Sequence, residues 1–188
     1  MKLRKIAIAL VSLTLLVTGC SNTQNSESSE NSDISYHVCV EYPTYKTIDE
    51  LGDKADIIIK GYMTKSKVID LNSASTSEGH FSIYTYYTIK ITQAIKGKYQ
   101  INDTVEMRQL GGEVNGEKLT SEGSIDFKMS PQNEYVFFLR EYPCEMLNPY
   151  QGCYEYNSES SEFTSLVAQN PIIPTVSELI RLKEKYKK

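Results

Sequence analysis

The chain has 188 residues, 20 Lys plus Arg against 24 Asp plus Glu (net charge −4), 40% hydrophobic and 23% charged residues. That length suits one domain of ordinary size, and the composition excludes both a wholly disordered chain and a multi-span membrane protein. The acidic balance argues against nucleic acid as a partner, which would call for a basic stripe.

The charge is unevenly placed. Lys2, Arg4 and Lys5 precede every acidic residue, the first of which is Glu27. Residues 6–17 then form twelve mainly apolar positions. As a helix they would span roughly 18 Å, short of the ~30 Å of a bilayer core, so the stretch fits a signal-peptide core better than a membrane span. LVTGC at 16–20 resembles the bacterial lipobox, which implies a diacylglyceryl group on the Cys20 thiol and cleavage just before it. Residues 1–19 are therefore expected to be a lipoprotein signal peptide, and their removal leaves a net charge of −7. Two acyl chains on Cys20 suffice for stable anchoring, which makes the membrane a partner and places the protein on the extracytoplasmic side of a bacterial cell membrane. After Cys20, residues 21–33 (SNTQNSESSENSD) hold no apolar side chain and so nothing to offset ordering entropy. Residues 20–33 read as the lipidated cysteine and a disordered tether.

Residues 34–188 are expected to form one β domain. Thr47 and Glu50 make a capping-box pattern for a short helix carrying Ile48 and Leu51 on one face and limited by Gly52. Next, ADIIIKGYMT at 55–64 is a β-branched run continuing towards Val68 and Ile69, and residues 72–79 read as a loop. From Phe81 to Ile95 the odd positions Ile83, Thr85, Tyr87, Ile89, Ile91 and Ile95 alternate with polar residues and tyrosines, a strand with one core face. Asn102 and Asp103 open a third strand, 104–110, with Val105 and Met107 inward, and Gly111-Gly112 breaks it. Asn115-Gly116 is a hairpin turn, Ile125, Phe127 and Met129 alternate as another strand, and Pro131 to Asn133 turns the chain. YVFFL at 135–139 demands burial on both faces, and a further strand is expected near 153–156. A second capping box, Thr175 with Glu178, opens a C-terminal helix with Val176, Leu179, Ile180 and Lys183 on one side. The sum is a mainly β domain: a small barrel or sandwich of five to six strands with a short helix before the first strand and one at the C-terminus.

The ordered segments ADIIIKG (55–61), YYTIKI (86–91) running into AIKG (94–97), DTVEM (103–107), Gly111-Gly112, EYVFFL (134–139) and Gln151-Gly152 resemble a group of uncharacterised bacterial secreted proteins and lipoproteins. Their strand order is similar to the OB-fold barrel of the netrin-like domain in tissue inhibitors of metalloproteinases. The resemblance spans about residues 47–156 and implies an OB-like barrel. It also implies, as the second functional reading, a regulator or inhibitor of extracellular peptidases. The chain departs from those inhibitors in its cysteines. They present a free N-terminal cysteine to the zinc and carry several disulfides, whereas here Cys20 would be acylated and only Cys39, Cys144 and Cys153 remain.

No nucleophile elbow, metalloprotease helix, phosphate loop or EF-hand pattern occurs, so no catalytic residue, metal ligand or cofactor is assigned. His37 and Cys39 share a face if extended but have no orienting third group, and His80 reads as a solvated loop residue. Cys144 and Cys153 flank a turn at Asn148-Pro149 and could form a local disulfide. Cys39 could pair with either, and three reduced thiols fit equally well. Gly111-Gly112 reads as a bend between strands rather than a phosphate cradle, since no helix follows, and the acidic run 155–162 as a solvated loop. OB-type barrels bind polymers across their central strands. Tyr84, Tyr86, Glu106 and Arg108 form the expected binding face, for a cell-wall polymer, glycan or protein ligand. The competing reading makes the tyrosines cross-strand stabilisers of the sheet.

Overall fold

The computed structural model describes residues 34–71 and 82–187. The expected signal peptide, Cys20 and tether (1–33), the loop at 72–79 and His80 lie outside the described residues. In chain order the elements are β1 (Ile34–Val38), α1 (Ile48–Lys54), β2 (Ile57–Asp70), β3 (Ile83–Lys96), β4 (Thr104–Leu110), β5 (Gly112–Val114), β6 (Glu117–Ser121), β7 (Glu134–Arg140), β8 (Glu145–Met146), β9 (Cys153–Asn157), β10 (Glu162–Ser165) and α2 (Val176–Tyr186). None of the described helices is long and apolar enough to cross a membrane.

The main sheet runs β10-β9-β7-β2-β3-β4, with the short β8 also on β7. A three-stranded sheet runs β1-β6-β5, in which β1 and β6 are parallel. β7 is buried on both faces, as its composition requires. Its odd residues Tyr135, Phe137 and Leu139 enter a cluster with Ile57, Ile59, Tyr87, Ile89 and Phe127. Its even residues Val136 and Phe138 pack with Ile58, Tyr154 and the helix residues Leu51, Leu179 and Leu182. At about 1.5–3 kcal/mol per fully buried large apolar side chain, these two clusters supply most of the driving force for folding. The alternation along β3 is realised in full: Ile83, Thr85, Tyr87, Ile89, Ile91 and Ile95 are all buried. Asn115 and Gly116 adopt positive φ (53° and 80°), turning β5 into β6.

The domain is mainly β with two helices, but the ladder is not closed into a barrel. The outer edge of β4 meets the β8 region through one backbone hydrogen bond, Arg108 N–H to the Cys144 carbonyl (2.9 Å). The described strands number ten rather than five or six, because β1, β5, β6, β8 and β10 have two to five residues each, too few to show a period.

Four local expectations need correction. Residues 125–129 form no strand: Gln109 instead clasps Ile125 with its side-chain amide, accepting from the Ile125 N–H (3.0 Å) and donating to the Ile125 carbonyl (3.1 Å). Gly52 does not end α1 but lies inside it, where α2 packs closely: a Cβ there would sit 3.1 Å from a Leu182 methyl. The buried residues of α2 are Leu179 and Leu182, while Val176 and Ile180 are exposed. The α1 capping box is also half made. Thr47 accepts from the Glu50 N–H (3.2 Å), but Glu50 accepts from the Lys46 N–H (2.9 Å), whereas Thr175 and Glu178 at α2 bond reciprocally.

Candidate functional site

β3 and β4 pair so that Tyr86 faces Arg108, Thr88 faces Glu106 and Tyr84 faces Leu110, while β2 sets Lys67 against Tyr86. Equal parity in this register puts Tyr84, Tyr86, Glu106 and Arg108 on one face, opposite the buried Tyr87, Ile89 and Met107. All four residues of the expected face are thus brought together, each at least partly exposed.

Their charges are organised. The Arg108 Nε donates to Glu145 Oε1 (2.6 Å), and its Cζ lies 4.4 Å from the centre of the Tyr84 ring. Arg140 donates to the other Glu145 oxygen through Nε (3.1 Å) and Nη2. One carboxylate therefore holds two guanidinium groups, and with Arg108 and Glu145 about four-fifths shielded from solvent, the pairing is stiffer than a surface ion pair. Burial is the largest single influence on Arg108 and opposes its charge, but the Glu145 hydrogen bond and charge, with Tyr86 and Tyr84 adding, together outweigh it and leave the guanidinium above its ordinary pKa. Lys67 pairs with Glu106 (2.8 Å) and lies over the Tyr86 ring (5.2 Å), in a more exposed setting. Both tyrosines are thereby fixed by a cation before any ligand arrives.

This face runs into a cleft of about 320 Å³ whose walls include Tyr42, Tyr84, Gln109, Ser124, Arg140 and Glu145. The cleft offers aromatic surface, guanidinium donors, hydroxyls and a carboxylate acceptor within one depression. That donor set suits a polyhydroxylated or mixed polar ligand and holds no nucleophile with an adjacent base.

A larger pocket of about 870 Å³ opens beside Tyr45, Lys46, Asn148, Tyr150, Gln151 and Ile172. Its polar floor is already engaged. Gln151 bonds both the N–H (2.8 Å) and the carbonyl (2.9 Å) of Tyr45, and Asn148 donates to the Pro43 carbonyl (2.8 Å). These amides staple the 43–45 segment to the β8–β9 connection, so the smaller cleft is the better-equipped site.

The parallel β1–β6 pair makes a third arrangement. The register His37↔Thr120 and Val38↔Ser121 continues as the Glu122 N–H donates to the Val38 carbonyl (3.2 Å). Cys39 consequently lies beside Glu122, its thiol donating to Glu122 Oε1 at 3.5 Å. The Glu122 hydrogen bond and charge raise the Cys39 pKa, and the same carboxylate is held below its ordinary value by hydrogen bonds from Tyr150 (2.9 Å) and Cys39. A raised thiol pKa disfavours the Cys-His nucleophile reading.

Cys39 is exposed, Cys144 half-buried and Cys153 buried, all as free thiols. Gly111 and Gly112 have φ of +112° and +144°, and a Cβ on Gly112 would stand 2.6 Å from Val68 Cγ1 and 2.9 Å from Thr85 Oγ1. The pair accordingly makes a close-packed bend. The acidic run is a hairpin rather than an open loop, with β9 and β10 joined through residues 158–161. Arg140, Glu145 and Tyr42 join the expected face, and Glu122 and Tyr150 join His37 and Cys39. No sequence spacing marks any of these five. Comparison of the chain with protein-family models, curated proteins and solved structures finds no match in any of the three.

Proposed function

We propose that this chain is a lipoprotein anchored through Cys20 to the extracytoplasmic side of a bacterial cell membrane, and that its β domain is a non-catalytic binding module for a cell-wall polymer or other glycan. One observation carries the binding reading: Tyr84, Tyr86, Glu106 and Arg108 come together on one accessible strand face continuous with the Tyr42–Glu145 cleft. Ordered aromatic rings beside charged hydrogen-bonding groups are what an extended, hydroxyl-rich ligand needs, and the pre-formed Arg108–Glu145–Arg140 group lowers the ordering cost of binding. We read the main sheet as OB-like. The Arg108 N–H to Cys144 carbonyl bond supports this by bringing β4 back towards the β7–β8 pair.

The test is a glycan and peptidoglycan-fragment array probed with residues 34–188. The reading expects a retained ligand, with binding weakened about tenfold or more in Tyr84→Ala/Tyr86→Ala, the loss of 1–2 kcal/mol typical of an interface tyrosine. Unchanged binding in that variant overturns the proposed face, and an array with no ligand overturns the glycan reading. For the anchor, acyl label enters the wild-type chain and not Cys20→Ala. A mature protein free of lipid overturns that part.

A further inference from the structure

Away from the tyrosine face, the β1–β6 junction gathers three side chains of metal-binding type. A ring nitrogen of His37, the Cys39 sulfur and a Glu122 carboxylate oxygen all lie within 4.8 Å of one another, and all three residues are exposed. We propose that His37, Cys39 and Glu122 bind a divalent transition-metal ion of the zinc type, with the fourth coordination position left to water.

The donor set is the first argument. Nitrogen, thiolate and carboxylate together match the borderline-soft preference of Zn²⁺ and lie outside the all-oxygen preference of Mg²⁺ and Ca²⁺. Metal–ligand distances of ~2.0–2.3 Å put tetrahedral ligand atoms roughly 3.3–3.8 Å apart. The Cys39 sulfur and Glu122 Oε1 are already 3.5 Å apart. Exposed side chains can close the remaining gap by small rotations, since no core packing fixes them.

The second argument lies in the groups behind the ligands. The Thr120 hydroxyl lies between the Tyr36 carbonyl (3.2 Å) and His37 Nδ1 (3.1 Å). In the tautomer where it donates to the carbonyl and accepts from Nδ1–H, the Nε2 lone pair is left for an ion, the usual arrangement for a metal-bound histidine. The Tyr150 hydroxyl donates to Glu122 Oε2 (2.9 Å), leaving Oε1 turned to the thiol. The backbone supplies the third argument. A period of two along each of two parallel strands in register places residues 37, 39, 120 and 122 on one side, so the convergence is built into the sheet.

On binding, the ion takes the thiolate of Cys39, whose proton passes to solvent. The dipositive ion is then balanced by one thiolate and one carboxylate. Because two ligands follow from β1 and one from β6, the ion would bridge the two strands and hold β1 in place.

The test uses the purified full chain in detergent, titrated with Co²⁺ as a spectroscopic stand-in and then with Zn²⁺ to displace it. The expected result is one equivalent of Co²⁺, a thiolate-to-cobalt charge-transfer band, and loss of that band on adding Zn²⁺. Cys39→Ser should abolish the band, and His37→Gln and Glu122→Gln should each weaken Co²⁺ binding at least tenfold. Tyr150→Phe should weaken it roughly 10- to 100-fold, as removal of an outer-shell partner does. Circular dichroism of each variant reports folding, and at the exposed His37, Cys39 and Glu122 and the half-buried Tyr150 it should be unchanged. A chain that takes up no Co²⁺, or a band that survives Cys39→Ser in a folded variant, overturns the assignment.

Discussion

The clasp between Gln109 and Ile125 is the contact whose removal tests most directly how the domain replaces a missing strand. Gln109→Met keeps the length and bulk of the side chain and deletes both hydrogen bonds. The two partners are main-chain groups of Ile125, a residue 7% exposed that precedes the core residue Phe127. The Ile125 carbonyl keeps a weak second donor in the Tyr87 hydroxyl at 3.5 Å, so the stranded Ile125 N–H bears most of the cost. An unsatisfied buried donor costs about 1–3 kcal/mol and a hydrogen bond lost from a group with another partner about 0.5–1.5 kcal/mol; since both bonds are part-buried, the variant should lose about 1.5–3 kcal/mol, the lower part of the sum. Equilibrium urea unfolding followed by far-UV circular dichroism measures this as a lower midpoint at unchanged slope. The near-UV spectrum should persist, since Phe127 keeps its edge-on contacts with Tyr87 (5.0 Å between ring centres) and Tyr135 (5.3 Å). A loss under about 0.5 kcal/mol would refute the view that this amide substitutes for strand pairing.

Gly61→Ala should cost about 2 kcal/mol or more in the same assay, because its Cβ would collide with the Lys90 carbonyl oxygen at the β2 bulge, a backbone atom that cannot rotate away; a midpoint equal to wild type contradicts the close approach. Glu122→Gln should lower the Cys39 pKa and speed its alkylation at neutral pH in the presence of chelator, since the carboxylate is what raises it; a slower reaction reverses the assigned cause. Burial first, with Glu145 and Glu141 adding, pushes the Cys144 thiol up from 9.0 to about 11, and burial raises Cys153 as well. The unfolded thiols ionise first, so the stability from this source is complete below about pH 9 and falls as pH rises through about 11. Urea midpoints from pH 7 to 11 should therefore show a plateau and then a decline that is smaller in Cys144→Ala, and identical profiles for the two proteins would count against the assignment.

The sequence shows this fold where burial repeats with a period and hides it where pairing is set by distant partners. β3 was legible because six inward residues alternate over thirteen positions, and β7 because five consecutive apolar residues can be satisfied only between two layers. Residues 125–129 alternate in the same way, yet the partner of their backbone is a side chain on β4, which periodicity cannot reveal. β9 was legible near 153–156, whereas β10 follows an acidic stretch whose polarity outweighed the buried Phe163 that anchors it. The same division holds for the sites. Tyr84, Tyr86, Glu106 and Arg108 lie on two neighbouring strands and could be grouped by parity alone. Glu122 stands 83 residues from Cys39, and only the parallel pairing of β1 with β6 makes them neighbours.

The open ends of the main sheet bear on how copies of this domain behave when crowded. An uncovered edge strand invites a second molecule to add its own strand and start a ribbon. Here β10 ends the sheet with only four residues, two of them the exposed Glu162 and Thr164. The Asn157 side chain accepts from the backbone N–H groups of Glu159 (2.9 Å) and Ser160 (3.2 Å) and closes the β9–β10 turn, which holds this short edge strand in place. At the opposite end, the Arg108 N–H of β4 is already committed to Cys144. Short, charged or occupied edges matter most for molecules confined to a plane, where encounters are frequent and orientations are shared. If the proposed lipid anchor holds the protein on a membrane, that surface can become dense without its domains zipping together.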